Sequence, residues 1–336
     1  MNKFSVILAV RNGWPYVQEC IESVLAQTYP HFELVVLDNQ STDNTVPWLK
    51  SLKDPRIRLN TSPVSLSIVE SWARVRSVEK QEYMTLIGHD DTLDPGFLAT
   101  INGMIERNPE CALYQTGARL INAEGTTIRS CRPVPERETA VEYLNARFAF
   151  QRDVFGTGLV MRSADYDRLD GLPTFERLFF ADDALWLSLL RGSCKLTEPT
   201  EHFAVRVHAD SESASMPAAW SSILRGLNQF ADFLKSYLEE NQDVRSAVVG
   251  QEQFMLTYHR NIYIFALIGA CQAGRKIEAE VVGRIEASLA KNAPTFAGRL
   301  RGSPKVAIIE ALNATPLRKT IPMLWQAYYD LRTRSR

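Results

Sequence analysis

Hydrophobic and polar positions along the first ninety residues alternate in blocks. Phe4-Ser-Val-Ile-Leu-Ala-Val10 is an almost unbroken apolar run of strand length, the pattern of a strand buried on both faces of a parallel sheet. After Pro15, Val17, Cys20, Ile21, Val24 and Leu25 recur at helical spacing and predict an amphipathic helix. Leu34 to Leu37 predicts a second buried strand. Ser41 and Thr42 offer N-caps to a helix through Leu52, and Ile57 to Leu59 reads as a short strand. Ser65 to Val78 reads as a helix and Tyr83 to Ile87 as the fourth strand. This alternation predicts an α/β fold, a doubly wound, mostly parallel sheet with helices on both faces, whose ligands sit beyond the carboxyl ends of the strands. Further on, Pro95 to Asn108 and Asp182 to Leu190 read as helical; Cys111 to Thr116, Leu159 to Met161 and Phe203 to Val207 read as extended. After about Pro217 the pattern is helical to the end, with Ser222 to Glu239 and Gln251 to Gln272 as long segments. We therefore expect an α/β domain at 1–217, in halves of about 1–110 and 111–217, and a helical region at 218–336.

Composition narrows the function more than the fold. The 336 residues carry 38 Lys and Arg against 39 Asp and Glu, a net charge of −1, so no global positive field gathers nucleic acid. The cysteines, Cys20, Cys111, Cys131, Cys194 and Cys271, are far apart, odd in number and without a CxxC pair. They suggest neither a zinc site nor a disulfide framework, and point to a reducing cytoplasm. Arg11-Asn12-Gly13 cuts short the apolar start, so it reads as a strand rather than a signal peptide. The later run Ile262 to Cys271 is about half the ~20 residues that cross a bilayer.

Three polar clusters follow the predicted strands: Arg11-Asn12-Gly13, Asp38-Asn39-Gln40-Ser41-Thr42-Asp43 and Gly88-His89-Asp90-Asp91. Singly each is a good turn or cap; together at strand ends they ask for a ligand. No G-x-G-x-x-G follows the first strand and no Walker lysine loop occurs, which excludes the common dinucleotide and P-loop solutions. Adjacent Asp90 and Asp91 need a counter-charge, and a hard divalent cation shared with substrate phosphates supplies one; a solvated acidic turn is the alternative.

From Lys3 to about Ser213 the chain resembles the inverting GT-A glycosyltransferases of family 2. The resemblance rests on Ser5 to Gly13, on Cys20-Ile-Glu-Ser-Val-Leu-Ala-Gln-Thr-Tyr-Pro30 and on Glu33-Leu-Val-Val-Leu-Asp-Asn-Gln-Ser-Thr-Asp43. It implies a nucleotide-binding half at about 1–110 and an acceptor half at 111–217. It also implies that Ala9, Val10, Arg11, Asn12, Asp38, Asn39 and Asp90 hold a nucleotide sugar, UDP- or dTDP-linked. The family's Asp-x-Asp-Asp metal motif falls on Gly88 to Asp91, with Gly88 in place of the first Asp. Asp91 is then the expected ligand of Mn2+ or Mg2+. Phe179-Phe-Ala-Asp-Asp-Ala-Leu-Trp-Leu187 resembles the segment that carries the catalytic base and puts it at Asp182, with Asp183 second; helix N-terminal charges are the plain reading. Val205-Arg-Val-His-Ala-Asp-Ser-Glu-Ser213 resembles a segment closing over the donor, where His208 can complete a metal's coordination or hold a phosphate, a structural histidine being the alternative; Arg206 can pair with a phosphate, a surface salt bridge being the commoner fate of such an arginine. Phe155-Gly-Thr-Gly158 resembles a region bordering the acceptor, a plain glycine turn being the alternative.

The implied activity moves a sugar from the nucleotide donor to a glycan or lipid-linked glycan hydroxyl in cell-surface polysaccharide synthesis. A glycosyltransferase-like scaffold without catalysis is the alternative, motivated by Gly88, Ala181 and Ala184. A metal-dependent nucleotidyltransferase ranks last for want of a basic Gly-rich loop. In the helical region Ile321, Leu324, Trp325 and Tyr328 share one face, flanked by Arg318, Lys319, Arg332, Arg334 and Arg336. That face suits either packing on the domain or peripheral contact with the inner face of the plasma membrane, and the region could also form a homo-oligomer.

Overall fold

The computed structural model describes residues 1–208, 218–313, 315, 320 and 323. The chain divides into two compact units. The first comprises Met1–Tyr143, Arg152–Thr174 and Phe180–Val207; the second comprises Leu144–Gln151, Phe175–Phe179 and His208–Arg336. The first unit therefore ends ten residues before the expected 217, and two short internal segments count with the second.

In the first unit the order is β1 (Phe4–Val10), α1 (Tyr16–Leu25), β2 (Phe32–Asp38), α2 (Thr45–Ser51), β3 (Ile57–Thr61), α3 (Ile68–Ala73), β4 (Tyr83–Ile87), β5 (Thr92–Leu93), α4 (Phe97–Arg107), β6 (Leu113–Ile121), β7 (Thr127–Ser130) and β8 (Arg137–Glu138). Then come α5 (Ala140–Phe148), which runs into the second unit, β9 (Val160–Arg162), α6 (Ser163–Arg168), α7 (Ala181–Leu189) and β10 (Lys195–Arg206). The described strands form one sheet of order β3-β2-β1-β4-β9-β6-β10-β5, with β7 on β6 and β8 on β10. Every residue of β1 is buried because parallel β2 and β4 flank it, so the strand needs no polar alternation. Val17, Cys20, Ile21 and Val24 of α1 join the same core as β1. In this register Val10 pairs with Asp38 and Leu8 with Ile87, so the carboxyl ends of β1, β2 and β4 share one rim.

Beyond β4 the sheet is mixed. β9 runs antiparallel to both β4 and β6, whereas β6 and β10 are parallel. β10 is much longer than the expected Phe203 to Val207. Its polar first half pairs with β6 across register shifts around Glu198 and Glu201, where the Pro199 carbonyl would lie 2.3 Å from any Cβ at Gly117. A glycine is therefore required at 117. Parallel pairing also sets the starts of β6 and β10 side by side, and Cys111 and Cys194, 83 residues apart, form a disulfide there. This corrects the expectation that the cysteines pair nowhere: spacing along the chain carries no information about strand neighbours. The expected helix starts three residues later, at Ile68, where a reciprocal capping box sets α3, and its end, Arg74–Ser77, tightens into a 3-10 turn. Ser67 Oγ accepts from the Glu70 N–H at 3.2 Å, and the Glu70 carboxylate accepts from the Ser67 N–H at 2.8 Å.

The second unit is helical: α8 (Trp220–Glu240), α9 (Gln242–Ala247), α10 (Gln251–Gln272), α11 (Ala279–Asn292) and α12 (Pro304–Asn313). α10 is buried on most of its surface. Within it His259 is fully buried, bonding the Met255 carbonyl at 2.7 Å and Ser288 of α11 at 2.8 Å, as a structural histidine does. Phe148 and Phe150 pack on Phe254, and Phe179 fills the space over Gly226, which accounts for the two short segments counted here. No helix among the described residues is long and apolar enough to cross a membrane. The face made by Ile321, Leu324, Trp325 and Tyr328, with its flanking basic residues, lies outside the described residues.

Candidate active site

The loops after β1 and β2 hold each other. Asn12, in the left-handed region at φ 51°, donates its N–H to Ser41 Oγ at 2.8 Å, and its side-chain oxygen accepts the Thr42 N–H at 2.8 Å. The Trp14 N–H donates to Asp43 at 2.9 Å and the Gly13 N–H to Thr45 at 3.2 Å. Ser41 and Thr42 thus clasp the neighbouring loop instead of capping a helix, and α2 starts later, at Thr45. At the end of β2, Asp38 is fully buried with its carboxylate accepting the Ser41 N–H at 3.2 Å. Asn39 uses both ends of its amide on Leu66, donating to the carbonyl at 2.9 Å and accepting from the N–H at 2.8 Å. Ala9 and Val10 end the buried strand, while Arg11 and Asn12 are exposed beyond it.

After β4, the acidic turn closes on Gly88. A Cβ at that position would lie 2.8 Å from Asp90 Oδ1 and 2.8 Å from Asp91 Oδ2, so the two carboxylates converge on the hollow that a glycine leaves. Asp91 is buried and accepts from the Arg206 N–H and the Thr157 hydroxyl, each at 3.1 Å. Burial first, and the Asp90 charge second, push its carboxyl up to about 7 despite these hydrogen bonds. Two carboxylate oxygens directed at one point, one of them held reluctant to ionise alone, suit a hard divalent cation. Among the described residues no three His, Cys, Asp or Glu side chains form such a site, so a cation here would take its other ligands from phosphate and water.

Arg206 is not available to a phosphate. Its side chain donates to the Asp90 carbonyl at 2.9 Å and to the Asn122 and Ala123 carbonyls at 3.1 Å, and it pairs with Glu19. It rivets the acidic turn to β10 from behind. His208 lies just past β10, is half-buried and belongs to the second unit.

The 155–158 loop brings the two acidic regions of the sequence together. Thr157 binds Asp91, and the preceding Gly156 faces Asp182 of α7, whose Cβ and Oδ2 would be 3.6 and 3.8 Å from a Cβ placed there. Gly158, at φ 78°, leaves room for the Phe203 ring, which a Cβ would meet at 2.5 Å. A side chain at 158 would therefore displace the loop. Asp182 is half-buried in the first turn of α7, whereas Asp183 is buried and accepts the Tyr143 hydroxyl at 2.6 Å. The helix thus offers one carboxylate to the site and keeps the other as a structural acceptor. Glu19 was passed over in the sequence, Thr157 was named only as part of a glycine segment, and Arg206 takes the salt-bridge reading rather than the phosphate one. A threonine between glycines signals only a turn, and Glu19 and Arg206 meet across 187 positions.

Residues 5–165 match the model of the family described as glycosyl transferase family 2. A relative in Bacillus subtilis (strain 168), named "Putative teichuronic acid biosynthesis glycosyltransferase TuaG", is 27% identical over 190 residues, 56% of this chain and 71% of its own length. The chain spans only 14% and 35% of the length of two other curated relatives. Among solved structures, S. aureus TarS 1-349 in complex with UDP-GlcNAc superposes with a TM-score of 0.52 at 15% identity, covering 89% of this chain and 92% of that one. The mannosyltransferase PcManGT from Pyrobaculum calidifontis, in complex with GDP-Man and Mn2+, gives 0.54 at 16% identity, covering 94% and 88%. At these identities the likeness establishes the fold, that of the GT-A glycosyltransferases with a C-terminal helical region.

Proposed function

Residues 5–165 belong to glycosyl transferase family 2, and from that premise we propose that the protein transfers a sugar, with inversion, from a nucleotide-sugar donor to a hydroxyl of a glycan or lipid-linked glycan. The supporting observation is the 155–158 loop, on which the candidate cation ligand Asp91 and the candidate base Asp182 meet through Thr157 and Gly156. The strand-end residues Ala9, Val10, Arg11, Asn12, Asp38, Asn39 and Asp90 form the donor side, with Asn39 shaping it through its hold on Leu66. Asp182 accepts the proton of the acceptor hydroxyl as that oxygen attacks the anomeric carbon from the face opposite the nucleotide; Asp183, engaged by Tyr143, does not compete. Asp90 and Asp91 would hold Mn2+ or Mg2+, which when bound neutralises the charge of the departing diphosphate. The name of the Bacillus relative supports polysaccharide synthesis and the UDP-GlcNAc complex supports a UDP-linked donor; a dTDP-linked donor and a site at the inner face of the membrane belong to the same proposal.

The Asp182→Asn variant tests this. Thermal stabilisation by UDP, dTDP, GDP and CDP, each with manganese, with magnesium and with chelator, should match that of the native protein, up to ~2.7 kcal/mol at a hundredfold excess over Kd. Transfer should fall by about 10²–10⁴-fold. Undiminished transfer would remove Asp182 from the reaction. Absence of any nucleotide effect on the native protein would favour the non-catalytic scaffold.

A further inference from the structure

Within the first unit a pocket of about 350 Å³ is walled by the middle of β6, the segment after β7, the 152–159 loop, Trp186 of α7 and the first half of β10. Phe155 and Thr157 line it while Gly156 between them faces Asp182, and Trp186 follows Asp182 by one helical turn. The pocket therefore adjoins the candidate base, on the side away from β1 and β2.

Its charge is unusual. Lys195 and Arg152 line the wall and both pair with one carboxylate: Lys195 Nζ lies 2.7 Å from Glu138 Oε2, and Arg152 engages Oε1. The three side chains are 4%, 9% and 0% exposed, so two cations face one anion where water does not screen them. Asp153, also in the wall, does not offset this, because Arg129 holds it with two bonds of 2.7 and 3.1 Å. Glu201 sits at the partly exposed edge, where solvent weakens its influence. Two wall residues add unmet hydrogen-bonding capacity. Trp186 Nε1 and Thr197 Oγ1 are buried without a hydrogen-bond partner, and an indole N–H can only donate. A native interior rarely leaves such groups unpaired.

An aromatic wall, an excess buried cation and unpaired donors call for a ring that carries a negatively charged oxygen group. We infer that this pocket is a subsite for an acidic sugar of the acceptor, with Lys195 and Arg152 facing its carboxylate or phosphate. The inference rests on the glycosyltransferase reading for its place in the reaction, but not for binding itself.

The test is a titration of 15N-labelled protein, following the indole N–H signal that Trp186→Phe removes. Glucuronate, glucose 1-phosphate and glucose are added in turn. A saturable shift with glucuronate alone assigns a carboxylate, and one with glucose 1-phosphate alone assigns a phosphate. Lys195→Gln, which leaves Arg152 and Glu138 balanced, should weaken the effective ligand by about tenfold or more. Thr197→Val offers the same test without altering charge, with a smaller loss. No shift with either acid, or an equal shift with glucose, overturns the inference. Nucleotide-dependent thermal stabilisation is measured on the same sample, so failure of the acidic subsite and failure of the donor site are distinguished.

Discussion

The two sides of the sheet in the first unit handle polar groups in opposite ways. On the β1–β2 side, loop groups are satisfied by other loops: Asn12 by Ser41 and Thr42, Trp14 by Asp43, Asn39 by Leu66. On the β6–β10 side, a carboxylate is shared by two buried cations, and Trp186 and Thr197 stay unpaired. A donor nucleotide has a constant shape, so its cradle can be preorganised by the chain itself. An acceptor differs between enzymes, and on the proposed reading the β6–β10 groups are left for the ligand to complete.

The most severe way to break this contrast is Gly88→Asp, which supplies the acidic residue of the Asp-x-Asp-Asp motif that the chain resembles. Its Cβ would meet Asp90 and Asp91 oxygens at 2.8 Å, so the paired carboxylates must separate. We expect loss of metal-dependent nucleotide stabilisation and an overpacking cost of about 1–3 kcal/mol in urea unfolding. A gain in metal affinity would show that the hollow is not the cation's place. Asn39→Ala tests preorganisation more gently. It leaves the Leu66 N–H and carbonyl without their partners, and should cost about 2 kcal/mol of stability while weakening nucleotide binding. Weakened binding without lost stability would mean that Asn39 touches the donor directly.

The smallest expected effect is one of pH. Without metal, the Asp91 carboxyl is raised to about 7, so the folded chain holds a proton there that the unfolded chain releases near the ordinary carboxylate value of about 3.9. That contribution to stability is complete below about pH 4 and is lost as pH rises through 7. Chelated protein should therefore lose stability between about pH 4 and 7 and level off above 7, and saturating manganese should remove the slope. Manganese affinity itself should rise up to tenfold per pH unit below 7 and level off above it, because the cation displaces one proton. A pH-independent affinity would exclude Asp91 as a ligand.

Legibility followed the range of the interaction. β1, β4 and α10 stood in the sequence with their observed bounds, because burial on both sides of a strand, or around a helix, writes itself as local apolar runs. β5, β7, β8 and the first half of β10 did not, since short or polar strands owe their form to neighbours far along the chain. Among the candidate site residues, Asp38, Asp90, Asp91 and Asp182 could be picked out by resemblance and by their place after strands or at a helix start. The difference in surroundings between Asp182 and Asp183 could not, because it depends on the Tyr143 hydroxyl, 40 residues away. Arg206 was legible as a cation but not as a rivet.

The sequence by itself determined the alternating strands and helices of the first ninety residues, the rim where their polar ends gather and the identity of the carboxylates there, since each is a matter of local pattern. Only the tertiary structure decided which of those groups face one another. It set Thr157 on Asp91 and Gly156 on Asp182, turned Arg206 inward, joined Cys111 to Cys194, and left two cations around Glu138. Those outcomes come from strand register and loop closure, which act between residues that the linear order keeps far apart.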